Sequence, residues 1–364
     1  MNRVCSRAYS GDGMRILHRD AMRMRLRCES DDDLWTLAQF VQAGHRFGMV
    51  GERRDSTTGG LEGGRAKAAE RRTMWILLEV LSVEHHTFSD ALRVHGTIVE
   101  APFDQGLHHT HVVETGDEVE VQSHAPFRTV DVQLIDAAAS AALRPKVALI
   151  VVEHDEVILF TVAQRGLKEG MTWTMRGGGK RSDERTSTTV KEAFLAKTAK
   201  EIAAALVGDV PVVLAGPGHA RDRLGAALRI SAPNLTLTSV GTSIGGRSAA
   251  NEVIREGLAG EVLADHAVSR ETAFVEEAMT RIHTSGAIAY GVDHITRAVD
   301  EGAVETFLIL AHLLRGDDGE RWEAMCEAVH ALGGTIVQCS IDHDAGAQLD
   351  GLGGAVALTR YRVD

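Results

Sequence analysis

Clustered cations next to glycine-rich stretches are the residues of this chain whose types and spacing point to chemistry. Residues 175–185 read M-R-G-G-G-K-R-S-D-E-R, so Gly177, Gly178 and Gly179 stand between Arg176 and the pair Lys180 and Arg181. Three consecutive glycines hold neither a helix nor a strand cheaply, because glycine loses the most backbone freedom on ordering. A flexible loop with a cationic tip is predicted. Such a tip fits a polyanion gripped on arrival, and it equally fits an ordinary solvated surface loop. A second glycine-rich stretch spans residues 51–72, with almost no apolar anchors. Arg53 and Arg54 stand at one end and Arg71 and Arg72 at the other. It reads as a long hairpin loop with basic flanks, and arginine-lined loops of this kind order on RNA. Third, Arg23, Arg25 and Arg27 alternate with Met22, Met24, Leu26 and Cys28. That is a period-two strand whose cationic face either takes phosphate or pairs with carboxylates.

Other constellations are weaker. His108, His109 and His111 lie close together, and His109 and His111 share a strand face. A metal site needs further ligands and groups that orient them, and none is visible in the sequence. Asp342 and Asp344 lack an accompanying nucleophile or third ligand and read as solvated loop carboxylates. The turn A-G-P-G at residues 215–218 has no Walker A lysine and no G-x-G-x-x-G run, so its backbone is not expected to cradle phosphate. No G-x-S-x-G elbow occurs. No catalytic residue is assigned.

The elements that must position these residues follow from pattern. Ser30 caps a predicted helix whose first turn carries Asp31, Asp32 and Asp33, with Leu34, Leu37, Ala38 and Val41 as its apolar stripe. Strands are predicted over 46–50, 73–85, 92–100 and 111–122. Residues 126–143 read as a linker with a short alanine-rich helix. A hairpin over 147–152 and 157–163 then precedes the triple glycine. A long helix over 187–207, strands near 211–218 and 235–240, and a helix over 219–228 complete a mixed sheet with helices on its faces. From residue 270, helices over 271–283, 292–300, 321–332 and 346–352 alternate with strands over 304–310, 335–340 and 355–361, an α/β/α layer.

The 364 residues exceed one hydrophobic core, so two or three domains are expected. The net charge of −12 is unevenly spread. Residues 1–125 carry −4, 126–143 carry −1, 144–269 carry +2 and 270–364 carry −9. The acidic last quarter reads as a domain with a different partner. Cys5, Cys28, Cys326 and Cys339 form no C-x-x-C pair and no framework, which favours a reducing cytoplasm and argues against a structural zinc. No apolar run approaches the ~20 residues of a membrane span. The first 13 residues read as a polar extension without a signal-peptide core, and Met14 is a second candidate start.

Several stretches, in order along almost the whole chain from Met14, carry a family likeness. They are M-R-I-L near the start, S-D-D-D-L-W, F-S-D-A-L-R-V-H-G-T-I-V-E-A-P, R-P-K-V-A-L-I-V-V, V-V-L-A-G-P-G, A-Y-G-V-D-H-I-T-R-A-V-D-E-G-A-V-E-T and L-G-G-A-V-A-L-T-R-Y. The chain resembles the archaeal and eukaryotic Pelota family, relatives of the class 1 peptide release factors. The resemblance implies a multidomain α+β and α/β protein: an Sm-like β-barrel over 14–125, a linker over 126–143, an RNase H-like central domain over 144–269, and a C-terminal domain over 270–364 like a ribosomal-protein RNA-binding fold. It implies a tRNA-like rescue factor that recognises ribosomes stalled with an empty A site and promotes subunit dissociation. The implied partners are the ribosome with its rRNA and mRNA, an elongation factor 1-alpha-type GTPase and an ABC-type ribosome-recycling ATPase. A monomer is expected, with no membrane partner.

Two departures bear on chemistry. Release factors carry G-G-Q where this loop reads G-G-G-K-R, so no peptide release is expected. Pro217, Gly218 and His219 stand where family members often have P-G-F, a motif linked to the GTPase contact. Some members are credited with a divalent-metal endoribonuclease activity in the first domain. The acids Asp20 and Asp33 offer it no convincing ligand set, so the metal residues are unassigned and the sequence requires no cofactor.

Overall fold

The computed structural model describes residues 13–54, 71–85, 91–141, 146–163, 166–175, 184–206 and 210–363. The chain divides into two compact units, Asp12–Leu143 and Arg144–Asp364.

The first unit contains β1 (Arg15–Arg19), β2 (Arg23–Arg27), α1 (Asp31–Phe40), β3 (Arg46–Arg54), β4 (Arg71–His85), β5 (Ala91–Glu100), β6 (His108–Glu114), β7 (Glu118–Gln122) and α2 (Thr129–Ala141). Its seven strands form one sheet in the order β1-β2-β7-β3-β4-β5-β6. Every pairing is antiparallel. Met24, Leu26, Phe47, Met49, Val80, Leu92, Val94, Val113, Val119 and Val121 point from the strands into one core, which α1 completes with Leu34, Leu37 and Phe40 and α2 with Ile135 and Ala138. The sheet bends where β4 and β5 slip register twice, near Leu77 and near Val80. A Cβ at Gly96 would overlap the Glu79 carbonyl, so these strands approach there as only glycine permits.

Helix α1 starts as its sequence dictates. Ser30 accepts from the Asp33 amide, and the Asp33 carboxylate accepts from the amides of Ser30 and Glu29 at 2.9 and 2.8 Å. The strand expected over 111–122 is in fact two. Gly116, at φ 101°, turns the chain between β6 and β7. Strand β7 then pairs with β2 and β3. Strand β1 adds a further edge that the sequence pattern did not announce.

The second unit contains β8 (Ala148–Val152), β9 (Glu156–Ala163), β10 (Gly166–Thr174), α3 (Glu184–Ala205), β11 (Val212–Gly216), α4 (Gly218–Ser231), β12 (Leu237–Gly241), α5 (Gly246–Arg255), α6 (Glu261–Ala264) and α7 (Ala267–His283), then β13 (Ile288–Tyr290), α8 (Val292–Asp300), β14 (Val304–Leu310), α9 (Gly319–Ala331), β15 (Thr335–Cys339), α10 (Asp344–Gly351) and β16 (Ala355–Thr359). One sheet runs β10-β9-β8-β11-β12 and the other β13-β16-β14-β15. In the first, β8, β11 and β12 are parallel, β9 pairs antiparallel with β8, and β10 pairs antiparallel with β9. Strands β8 and β11 are buried on both faces, as the runs V-A-L-I-V-V and V-V-L-A-G require. One face is covered by α3 and α4 through Leu195, Ile202, Leu224 and Leu228. The other is covered by α5 and α6 through Ala249, Val253, Ile254 and Leu263. Helix α7 places Val268 in this core and Val275 and Ala278 in that of the last sheet. The boundary expected between residues 269 and 270 therefore falls inside the first turn of one helix. Among the described residues no helix is long and apolar enough to cross a membrane.

Candidate nucleic-acid interface

Strands β3 and β4 carry the arginines that flank residues 55–70, themselves outside the described residues. The register puts Arg53 opposite Arg72 and Arg54 opposite Arg71. Like charges facing one another across a ladder repel, so this end of the hairpin needs anionic partners. Arg53 has found one within the fold. Its Nε donates to Asp104 Oδ2 at 2.7 Å, and its Nη1 donates to the His108 carbonyl at 3.3 Å. Arg71 meets Glu52 at 3.6 Å with both side chains more than half exposed. A pair so wet contributes about 0–1 kcal/mol and exchanges readily for a phosphate. Arg54 and Arg72 are exposed on the same ribbon. An open groove of about 530 Å³ runs here, lined by Glu52, Arg53, Arg54, Arg71, Asp104, Leu107 and His109.

The histidines form two pairs on β5 and β6. His95 and His108 stack with ring centroids 5.4 Å apart, and His109 meets His111 edge-on at 4.8 Å. His111 is buried, and its Nε2–H donates to the Ile76 carbonyl at 3.0 Å. Burial, with His109 beside it, pushes His111 down to about 4. Burial first, then Arg53 and His95, lowers His109. Both rings are thus held neutral at pH 7. Among the described residues no group of three or more histidines, cysteines or carboxylates is placed to hold a metal ion. The acids considered for a nuclease are occupied by backbone. Asp20 accepts from the amides of Met22 and Arg23 at 2.9 and 2.8 Å in the β1–β2 turn, and Asp33 closes the capping box of α1 by accepting from the amides of Glu29 and Ser30.

The other sequence-selected residues are placed as follows. Arg25 pairs with Glu118 at 2.7 Å, Arg27 with Glu29 at 2.9 Å and Arg23 with Glu120 at 3.6 Å, so that cationic face is compensated within the fold. Pro217 is the N-cap of α4, Gly218 takes φ 64°, and the His219 side chain is 94% exposed. Asp342 and Asp344 are exposed, and Asp344 accepts from Asn251 at 2.6 Å. Arg176, Gly177, Gly178, Gly179, Lys180 and Arg181 lie outside the described residues.

Comparison with known proteins bears on the whole chain. It is 33% identical over 356 residues to the pelota homolog of Methanothrix thermoacetophila, an alignment covering 96% of this chain and 99% of that one. The chain belongs to the Pelota family. The profile of the Pelota N-terminal domain matches residues 14–139, and that of eRF1 domain 3 matches residues 268–363. The Pelota fold is evident as well. The crystal structure of Thermoplasma acidophilum Pelota matches with a TM-score of 0.73 at 20% identity, covering 96% of this chain and 100% of that one. That of S. cerevisiae Dom34, a translation termination-like factor involved in RNA quality control pathways and interacting with Hbs1, matches with a TM-score of 0.54 at 17% identity, covering 96% and 98%. In this Pelota chain the groove adds Asp104, which pattern reading passed over, and His109, which it had considered only as a metal ligand. The turn F-D-Q-G, with Asp104 at φ 62°, is the sequence trace of the first.

Proposed function

We infer that the protein is a ribosome rescue factor: a tRNA-like molecule that recognises ribosomes stalled with an empty A site and promotes subunit separation without releasing the peptide. Membership of the Pelota family along 96% of the chain carries the reading. The basic end of the β3–β4 hairpin supports it by offering exposed arginines to RNA in a chain of net charge −12. In this reading Arg54, Arg71 and Arg72, with the intervening residues, meet rRNA and mRNA near the decoding centre, and Arg53 sets the shape of the groove they flank. The loop from Arg176 through Gly177, Gly178 and Gly179 to Lys180 and Arg181 reaches toward the acceptor end of the site. It lacks the glutamine that would place a water at the peptidyl ester.

An elongation factor 1-alpha-type GTPase delivers the protein through Pro217, Gly218 and His219, and an ABC-type ATPase supplies the energy for splitting. The protein acts in the cytoplasm as a monomer. Its domains in this reading are the barrel over 14–125, the segment 126–143 whose helix α2 packs on the barrel core, the central domain over 144–269 and the C-terminal domain over 270–364, with α7 running across the last boundary. The turn and cap roles of Asp20 and Asp33 give a nuclease reading no support.

The test is subunit splitting of stalled ribosomes, followed by light scattering with both partner NTPases present and mRNA integrity assayed in the same tube. Splitting with intact mRNA is expected. Cleavage without splitting would overturn the assignment.

A further inference from the structure

A second cationic site lies on the central sheet, away from the hairpin. At the carboxyl ends of the parallel strands β8 and β11 a pocket of about 350 Å³ is lined by Glu153, His154, Lys191, Phe194, Leu195, Pro217, His219, Ala220 and Arg223. Open α/β sheets bind ligands at this edge. The charges come from three elements. His154 follows β8, Lys191 projects from α3, and His219 and Arg223 lie one turn apart on α4.

Lys191 Nζ lies 2.6 Å from His154 Nε2. Among the described residues neither Lys191 nor Arg223 has a carboxylate within 4.0 Å, whereas Arg19, Arg23, Arg25, Arg27, Arg53 and Arg71 all do. Two acids stand beside the cluster, Glu153 in the pocket lining and Asp222 on α4. Glu153 lies against Gly245, the N-cap of α5, where a Cβ would overlap its carboxylate. Asp222 is engaged by Arg221 at 3.2 Å and stands 4.0 Å from His219. The first turn of α4, without a side-chain cap, opens on the same pocket.

We propose that the pocket formed by His154, Lys191, His219 and Arg223 binds a phosphate group carried on a nucleotide unit. A lysine, an arginine and two imidazoles converging from three elements match the several oxygens of a phosphate. The two exposed rings at the rim give a base a surface to stack on. The turn at 215–218 is no P-loop, and it need not be, because side chains of α3 and α4 supply the charge. The phosphate belongs either to an RNA backbone or to a free nucleotide, and the choice of probes separates the two. The RNA source rests on the ribosome reading; the phosphate site itself does not.

The experiment titrates the full chain, labelled with ¹³C-histidine, with three probes: a 12-nucleotide single-stranded RNA, guanosine 5′-diphosphate, and a glutamate-rich peptide of equal length to the RNA. The His154→Gln and His219→Gln variants identify the two resonances. RNA moving both resonances at lower concentration than the diphosphate supports an RNA backbone site, and the diphosphate alone moving them supports a nucleotide site. Movement by the acidic peptide alone, or by no probe, overturns the proposal. In parallel, RNA binding is followed against salt in a background where Arg54 and Arg71 are already glutamine. There K191Q/R223Q lowers the slope of log K against log salt further, by roughly 0.7 for one lost single-strand phosphate, and K191R retains the slope. An unchanged slope in that background removes RNA from this pocket while leaving the hairpin reading untouched.

Discussion

Arg53 and Asp104 form a half-buried ion pair, Nε to Oδ2 2.7 Å, with side chains only 16% and 10% exposed. It ties β3 to the turn that follows β5. Arg53 is therefore spoken for by the fold, although the sequence places it among four equivalent arginines. Removing Arg53 takes away the guanidinium that faces the half-buried Asp104 carboxylate, at a cost of about 3 kcal/mol. Arg53→Gln is expected to lower stability by that amount in urea unfolding. Arg54→Gln and Arg71→Gln stay within about 0.5 kcal/mol of the parent. RNA and ribosome binding reverse the order: the exposed pair loses roughly 0.7 of salt slope per phosphate contact. Equal stability losses at all three positions would contradict this division.

The start of α1 offers a simpler test. Ser30 and Asp33 satisfy each other's backbone amides, and both were visible as S-D-D-D. Ser30→Ala should cost about 1 kcal/mol. Ser30→Asp keeps an acceptor at the cap and should recover most of the loss, read as the shift of the unfolding midpoint.

How much of this was legible follows from what each residue type advertises. The α1 cap, the double-sided strands β8 and β11 and the stops at Gly302 and Gly333 announce themselves through local chemistry. Strand β10 does not: G-L-K-E-G-M-T-W-T is an edge strand mostly open to water, so burial imposes no alternation on it. Helix α5 hides because alanines 249 and 250 and Glu252 supply three of its five buried positions, and alanine contrasts little with its polar neighbours. The site divides likewise. Runs of arginine show in the sequence, but whether each is free depends on partners far along the chain. Asp104 stands 51 residues from Arg53 and Glu118 stands 93 from Arg25. Lys191 and Arg223 were passed over for the same reason, since only the fold brings α3 and α4 to one pocket.

Glu271 gives a prediction for the last domain. Its carboxylate accepts from the buried Ser340 amide at 2.9 Å and from His343 Nε2 at 2.7 Å. His343 Nδ1 in turn accepts from the Gly346 amide at 3.1 Å, at the start of α10. One side chain of α7 thereby fixes both the tautomer of His343 and the entry to α10. Glu271→Ala leaves two buried donors unmet, a loss of about 2–3 kcal/mol. Glu271→Gln keeps one acceptor and should lose less. Hydrogen exchange should show the loss at the amides of Ser340 and Gly346 first. Protection unchanged at both would mean that α10 is held by its apolar face alone.

His111 makes the stability of the first unit depend on pH with a definite sign. In the fold its ring sits between Phe47 and His109, donates to the Ile76 carbonyl, and is lowered to about 4 by burial and by His109. Unfolded, it returns to the ordinary histidine value near 6.5. Between these two values the unfolded chain binds the proton and the folded chain does not, so stability rises with pH there. The contribution of neutral His111 is complete above about pH 6.5 and disappears as pH falls through 4, a span of about 3 kcal/mol. Denaturant midpoints measured from pH 7 to pH 4 should fall accordingly. In His111→Gln the amide keeps a donor for Ile76 but does not titrate, so the variant begins less stable at pH 7 and loses less on acidification. Parallel pH curves for parent and variant would assign the acid sensitivity to other groups.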